Sequence, residues 1–466
     1  MLRRFHPLLA LAVALVSLPL LGCDPETPDN DAGSDAGQAD APTTDAPTTD
    51  ATVASNTIVD IAAGNPDFSL LVAAATRAEL VSTLANPEGS FTVFAPTNAA
   101  FEASGITAAM IDAMPVPQLQ GILTYHALAG EVRSSAITAG PVTSVAGFTL
   151  FLGTTGGVTV NGGNAITGGA NVVTADIIAD NGVIHVIDRV LLPPTIPQLA
   201  VYGGLTSLVG AVADADLGGA LSAAGPFTVF APTNAAFAAL TVVPTGDALT
   251  QVLLYHVVSG AVVSTGVPAN APSLATNAYD DNLTLLFDTT AGVVINGGPE
   301  VVIADLRATN GVVHVVDAVL LPMNVIDAAI AADLTGLLGA AGAASALPGG
   351  DTIATALSAD APYTLFAPTN DAFTAAATTI AGLTTDQVRD VLLYHVLSTT
   401  AFPAPVLAAD LPAADTTLAT LNTANTIPFV AGPPPTVDGA GFVATDIIVT
   451  NGVIHLIDAV MVPSTL

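Results

Sequence analysis

The chain has no lysine, no tryptophan and a single cysteine, Cys23, in 466 residues. Each absence closes a class of function. Without lysine there is no side-chain amine to form a Schiff base with a carbonyl substrate. One cysteine forms no disulfide within the chain and builds no cysteine metal cluster. Without tryptophan a strong aromatic platform for stacking sugars is missing, although six tyrosines remain. Positive charge is scarce too: seven arginines face 39 acids, and the formal net charge is −32. A field of that sign repels phosphate backbones, which argues against nucleic acid as a partner, and it opposes docking on anionic lipid through a basic patch. The acidity reads as solubility for an exposed protein. Loose capture of divalent cations is the sharper alternative, but no Asp-x-Asp-x-Asp-Gly loop with a distal Glu is present to support it.

What is present is a repeat. The run Phe-Thr-Val-Phe-Ala-Pro-Thr-Asn-Ala-Ala-Phe occupies 91–101 and 227–237, and returns as Tyr-Thr-Leu-Phe-Ala-Pro-Thr-Asn-Asp-Ala-Phe at 363–373. A Tyr-His pair follows each copy: Tyr125-His126, Tyr255-His256 and Tyr394-His395. A block beginning Asn-Gly-Val closes each copy, at 181–193, 310–322 and 451–463. The copies start at 91, 227 and 363, a spacing of 136 residues both times. That is the size of a whole domain, not of a solenoid unit. With 51% hydrophobic residues, each copy holds enough apolar side chains for its own core.

Residues 1–23 read as an export signal. Arg3 and Arg4 supply the positive end, residues 8–21 an apolar run too short to span a bilayer comfortably, and Leu20-Leu21-Gly22-Cys23 ends it. The ending resembles the lipobox of bacterial lipoproteins, which implies a lipidated Cys23; an ordinary signal peptide with an incidental cysteine is the alternative. Attached acyl chains tether a protein by burying methylene groups in the bilayer. Residues 24–54 hold eight acids, no base and almost no large apolar residue. Such a segment buries too little surface to offset its ordering entropy, so disorder and an extended, stalk-like form are expected.

In the first copy, apolar residues near helical spacing (Ile58, Ile61, Leu70, Leu71, Ala74) predict helix over 58–75, with Asn65-Pro66-Asp67 as an internal start signal. A short helix follows over 80–84. Residues 91–95 predict a strand ending at Pro96, after which Thr97-Asn98 caps a helix carrying Phe101. Residues 117–128 predict another helix with Tyr125-His126 near its end. Strands are expected over 148–152, 158–160, 172–178 and 183–192. Asn181-Gly182 predicts a hairpin with a type I′ turn, as do Asn310-Gly311 and Asn451-Gly452. Residues 182–190 are apolar on both alternating faces, which predicts a strand buried on both sides. Helices first and an antiparallel sheet after them indicate an α+β fold.

Taken together, the Phe-Thr-Val-Phe-Ala-Pro-Thr-Asn block, the Tyr-His pair and the Asn-Gly-Val-Ile-His block with its upstream Asp176-Ile177 (Asp305-Leu306 and Asp446-Ile447 in the other copies) resemble the fasciclin domain, a cell-surface adhesion module. The resemblance covers about 55–465. It implies three tandem domains, 55–193, 194–323 and 324–466, each a wedge of antiparallel β-sheets with flanking helices. The third copy departs from the pattern. It lacks the Asn-Gly-Gly found at 161–163 and 296–298 and carries Pro433-Pro434-Pro435 nearby, and it has Gly349-Gly350 before its first motif. No Arg-Gly-Asp tripeptide occurs.

Six of the seven histidines fall two per copy: His126 and His185, His256 and His314, His395 and His455. Two histidines with scattered aspartates fall short of a zinc site, and no hydrolase or phosphate-loop motif accompanies them. No catalytic residue, metal or cofactor is therefore assigned, and the rings are expected to hydrogen-bond inside the fold. Asp188, Asp317 and Asp458 lie on the strand face opposite the second histidine, so Asp176, Asp305 and Asp446 are the better partners for it. By the resemblance, Asn98, Asn234 and Asn370 join these aspartates and His185, His314 and His455 as structural motif residues. In the family the Tyr-His pair is implicated in recognising cell-surface receptors, which marks Tyr125, His126, Tyr255, His256, Tyr394 and His395 as an interaction motif; a core role is the competing reading. The function implied is non-enzymatic: an exported, lipid-anchored envelope protein that binds a cell-surface or matrix protein or polysaccharide, and touches the membrane only through its anchor. Carriage of a small hydrophobic ligand, a lipid or pigment, in an apolar cleft is the alternative.

Overall fold

Each repeat begins with a reciprocal cap. The Thr57 hydroxyl accepts the Asp60 N–H at 3.3 Å while the Asp60 carboxylate accepts the Thr57 N–H at 2.9 Å, and this starts the first helix, Ile58–Gly64. Thr195 with Gln198 starts Ile196–Tyr202, and Asn324 with Asp327 starts Val325–Ala331. Two orphan amides are satisfied at each start, so all three helices begin at one sequence-specified residue. The computed structural model describes residues 56–164, 167–344 and 357–466. The expected signal with Cys23, the acidic segment 24–54 and Gly349-Gly350 lie outside the described residues.

After the first helix, Asn65 caps the 3₁₀ turn Pro66–Phe68, which leads into the helix Ser69–Arg77. The expected 58–75 helix is thus broken at Pro66, where a helix interior would lose a backbone donor. The predicted strand at 91–95 is the opening strand Phe91–Pro96; its counterparts are Phe227–Pro232 and Tyr363–Pro368. The Tyr-His helices are Val116–Tyr125, Gly246–Tyr255 and Thr385–Tyr394. The first stops three residues short of the expected 128, because Ala127–Ala129 pairs as a strand with Phe91–Val93 instead.

The strands of the first repeat lie in the order Ala127–Ala129, Phe91–Pro96, Gly182–Ile187, Ala170–Ala179, Thr159–Val160, Thr149–Gly153, Gly140–Thr143. All pairs are antiparallel but one. The opening strand runs parallel to the closing strand, Phe91 opposite Gly182 and Pro96 opposite Ile187. The same parallel pair recurs with Gly311–Val316 and Gly452–Ile457. A long crossover separates the two strands in sequence, and parallel pairing needs such a connection. The sheets are therefore mixed rather than purely antiparallel, within an α+β architecture of helices packed beside a wedge of sheet.

That central pair is buried on both faces. Val93, Ala95, Ile184 and Val186 pack beneath the helices with Ile58 and Phe68. Phe94 and Ile187 point the other way, into the wedge, against Tyr125, Leu150 and Leu191. Strand alternation sends neighbouring residues to two different cores, so neither face meets solvent, and the polar side chains on the pair, Thr92 and His185, are buried with them. The closing strand ends at Ile187, short of the expected 192.

The turn before the closing strand differs from the one expected. The ladder closes with Ala179 opposite Gly182, so Asp180-Asn181, not Asn181-Gly182, occupies the turn. Neither residue has a positive φ, so the type I′ geometry is absent. Gly182 is required for another reason: a Cβ there would lie 2.0 Å from the Phe91 carbonyl oxygen. The same clash would arise at Gly311 with Phe227 and at Gly452 with Tyr363.

Candidate functional site

The Tyr-His pairs lie in the core. All six side chains are buried, with Tyr125 and Tyr255 completely covered and the most exposed, Tyr394, at 3%. The tyrosine points from the last turn of its helix into the wedge, where Tyr125 Oη donates to the Thr149 carbonyl at 2.9 Å and accepts from Asn161 Nδ2 at 3.0 Å. Asn161 Oδ1 in turn accepts the Phe151 N–H at 3.0 Å. The second repeat copies this network with Tyr255, Thr284, Asn296 and Leu286. Burial holds both phenols well above their ordinary range.

The third repeat keeps the tyrosine and changes its support. Tyr394 Oη donates to the Thr426 carbonyl at 3.1 Å, but Asp438 replaces the asparagine and Pro428 replaces the residue whose N–H the asparagine accepts. Proline has no such N–H to offer. Burial pushes the Asp438 carboxyl up. Burial first, and Asp438 second, raise the Tyr394 phenol to about 12.

Each adjacent histidine closes its helix. His126 Nδ1 faces the Ile122 carbonyl at 2.8 Å, and Nε2 lies 2.9 Å from the Leu191 N–H. A carbonyl must receive a proton and an N–H must give one, so the ring is neutral and carries its proton on Nδ1. His256 sits between Val252 and Leu320 in the same way, and His395 between Val391 and Met461. Burial drives all three down to about 4, against the opposing pull of the backbone carbonyl.

The second histidine of each repeat carries the opposite tautomer. His185 Nε2 faces the Val132 carbonyl at 2.9 Å, and Nδ1 accepts the Asp176 N–H at 3.3 Å. His314 and His455 repeat the pattern with Val262 and Asp305, and with Val406 and Asp446. Burial lowers the latter two. Their partner is thus the aspartate's backbone, not its carboxylate. Asp176, Asp305 and Asp446 sit in β-bulges with φ near +60°, a left-handed conformation that Asp tolerates better than most residues. The bulge turns the aspartate N–H toward the ring and frees the carboxylate for a 3₁₀ turn, Ser134–Ala136 in the first repeat. Asp176 takes the Ser134 N–H at 2.8 Å and its hydroxyl, and these bonds hold its carboxyl below the ordinary range. At Asp305 burial pushes upward, but the two Ser264 bonds outweigh it. The third repeat has Ala408, so Asp446 accepts only the backbone N–H there, at 2.8 Å. Asp188 instead accepts from Asn171, across the sheet from His185.

Asn98 is a tie between helices. Its side chain accepts the Leu70 N–H at 3.0 Å and donates to the Pro66 carbonyl at 3.0 Å, while Thr97 caps its helix. Asn234 and Asn370 do the same. A second set of asparagines was hidden by its turn signal. Asn181 Oδ1 accepts the Ile58 N–H at 2.9 Å, and Nδ2 donates to the Leu84 carbonyl at 2.7 Å and the Asn86 carbonyl at 3.0 Å. Asn310 and Asn451 make the equivalent three bonds. The Asn-Gly dipeptide reads locally as a turn; nothing local shows that the amide pins two helical segments.

Among the described residues no group of three or more histidine, cysteine or acidic side chains is placed to hold a metal ion. The concave feature of interest is apolar. In the second repeat a cleft of about 230 Å³ opens between the first helix, the helix Thr206–Asp214, the short helix Gly218–Leu221 and the central strands. In the first repeat the matching cleft holds about 60 Å³. Two of the residues lining the larger cleft are smaller than their counterparts: Gly218 stands where the first repeat has Val81, and Val313 where it has Ile184. His256 is the polar side chain in the lining, and both of its nitrogens are already bonded.

The model of the fasciclin domain matches this chain three times, at 66–193, 203–322 and 334–463. Protein sll1483 of Synechocystis is 46% identical over 142 residues, which is 30% of this chain and 74% of that protein. Immunogenic protein MPB70 of Mycobacterium bovis is 34% identical over 149 residues, 30% of this chain and 72% of that one. Human periostin is 27% identical over 440 residues; the match takes in 88% of this chain, which spans about half (47%) of periostin. A solved fasciclin domain pair from the insect cell adhesion molecule fasciclin I is 18% identical, with a TM-score of 0.33, and covers 56% of this chain and 95% of its own.

Proposed function

The chain belongs to the fasciclin domain family, and from that premise we propose that it is a non-enzymatic adhesion or matrix-interaction protein of the bacterial cell envelope, exported and anchored through Cys23. One observation carries this reading: in each repeat the histidines and tyrosine that catalysis would draw on are buried and bonded inside the fold, and the motif aspartate at the surface is already bonded to a neighbouring turn. What a repeat offers a partner is its outer surface, in triplicate. Weak contacts at three linked modules combine through effective concentration. The buried Tyr-His pairs support such recognition by shaping the loops above them, not by touching a partner.

The test is binding of the full chain to cells of its own species and to their matrix polysaccharide, beside the isolated second repeat, 194–323. Binding by the full chain with much weaker binding by one repeat is expected; equal binding by both removes avidity, and none by either removes adhesion. Replacing Cys23 with Ser is expected to release the chain from the envelope and abolish its acyl mass increment.

The enlarged cleft of the second repeat favours carriage of a small hydrophobic ligand as a second reading. Its lining has no free polar group to orient a head group, so the occupant would be a bare hydrocarbon segment. Gly218→Val restores the first repeat's side chain where a Cβ meets open space. It is expected to abolish uptake of an apolar fluorophore; uptake unchanged by it would sink this reading.

A further inference from the structure

The repeats are joined by one interface used twice. Thr149 and Thr284 occupy the same position in their repeats, each lending its carbonyl to the buried tyrosine. Their hydroxyls face outward into the next repeat. Thr149 Oγ1 accepts the Arg307 N–H at 2.8 Å, and Thr284 Oγ1 accepts the Ile448 N–H at 2.9 Å. Arg307 and Ile448 are also equivalent, each two residues past its bulge aspartate. Two residues beyond each threonine an apolar side chain crosses over: Phe151 packs on the core of the second repeat and Leu286 on that of the third. Close by, the following first helix ends against the same side of each of the first two repeats, although at different residues: a Cβ at Gly168 would lie 3.7 Å from the Tyr202 hydroxyl, and one at Gly297 3.1 Å from Ala331 Cα.

An interface that joins unlike faces leaves one face of each kind unpaired by it, on the third repeat and on the first. Among the described residues both of these faces are exposed. The third repeat presents Thr426, at the position of Thr149 and Thr284; those two are buried and Thr426 is exposed. The first repeat presents Ile178, at the position of Arg307 and Ile448 and 45% exposed. Ile178 pairs with Val183 in the register that turns the Arg307 and Ile448 N–H outward. The end of the first helix, half-buried at Tyr202 and Ala331, is exposed at Gly64.

We propose that the chain self-associates head to tail, with the third repeat of one copy seated on the first repeat of the next through the contact that joins its own repeats. Pro428 stands where Phe151 and Leu286 stand, and Asp438 replaces the asparagine behind it. The outer contact is therefore smaller than the internal ones, and it lacks their high effective concentration. Each copy carries a charge of −32, so association strengthens as salt screens the repulsion.

The test is sedimentation of the full chain carrying Cys23→Ser, so that neither thiol nor acyl chain contributes, up to about 1 mM, the effective concentration of a short tether. Mass is expected to rise with concentration and with salt. Thr426→Val removes the acceptor and is expected to lower the association constant about tenfold. Ile178→Asp adds repulsion on the opposite face. Mixing the Ile178→Asp chain with the Thr426→Val chain leaves one intact face on each, so pairs form at the wild-type constant and longer arrays do not. Pro428→Phe with Asp438→Asn restores the first repeat's face and is expected to strengthen association. Three outcomes overturn the proposal: a wild-type chain that stays monomeric across the range, association unchanged by both blocking variants, or association only after Pro428 and Asp438 are replaced, which would make that face a terminator.

Discussion

Acidification from about pH 7 to about pH 5 is expected to destabilise each repeat through the histidine that closes its Tyr-His helix. In the folded chain His126, His256 and His395 titrate only at about 4, because protonation would place a charge in the core and set a second ring N–H against the Leu191, Leu320 or Met461 amide. In the unfolded chain the same rings take a proton near 6.5. A histidine with a lowered folded value favours the native state above its unfolded value, and that support falls away as pH drops from 6.5 toward 4. At pH 5 the unfolded ring is almost fully charged and the folded one is not, which costs the native state about 2 kcal/mol per repeat. For a domain of this size that is a fall in melting temperature of roughly 5–10 °C. Calorimetry across this pH range measures the shift. Nitrogen-edited NMR of the imidazoles identifies its source, with His126, His256 and His395 showing the Nδ1–H form throughout. A melting temperature flat between pH 7 and pH 5, or folded imidazoles titrating near 6.5, would refute the reasoning.

Asn310→Ala strands the Ile196 amide and the Leu221 and Ala223 carbonyls, and is expected to cost about 3 kcal/mol or more in urea unfolding. Gly311→Ala places a Cβ 2.0 Å from the Phe227 carbonyl oxygen and is expected to leave the second repeat unfolded by circular dichroism. Asp438→Asn rebuilds the amide bond to Tyr394; burial raises the carboxyl it replaces, so ionised Asp438 weighs against the third repeat as pH rises, and the variant is expected to gain about 0.5–1 kcal/mol at neutral pH after screening. Gly218→Val is expected to raise the melting temperature of the second repeat by filling the cleft and removing a helical glycine, an increment of about 1 kcal/mol.

Much of this protein was legible in its sequence. Three ordered markers at a spacing of 136 residues determine three copies of one domain. Apolar residues on both alternating faces of 182–187 determine a strand buried on both sides, since burial preference is carried by each residue alone. Tertiary structure decided what depends on a distant partner. The direction of the central pair, the bulge that turns the Asp176 amide to His185, and the reach of Asn181 to Ile58 and Leu84 all join segments far apart in the chain. The Asn181-Gly182 dipeptide shows the limit: the glycine yields to a strand that crosses 91 residues earlier, not to a local turn. Whether Thr149, Thr284 and Thr426 are covered likewise depends on which repeat follows them. Local pattern fixes which residues are apolar, bent or capped; it carries no record of what lies across the gap, and there the histidine tautomers, the cleft and the contacts between repeats are set.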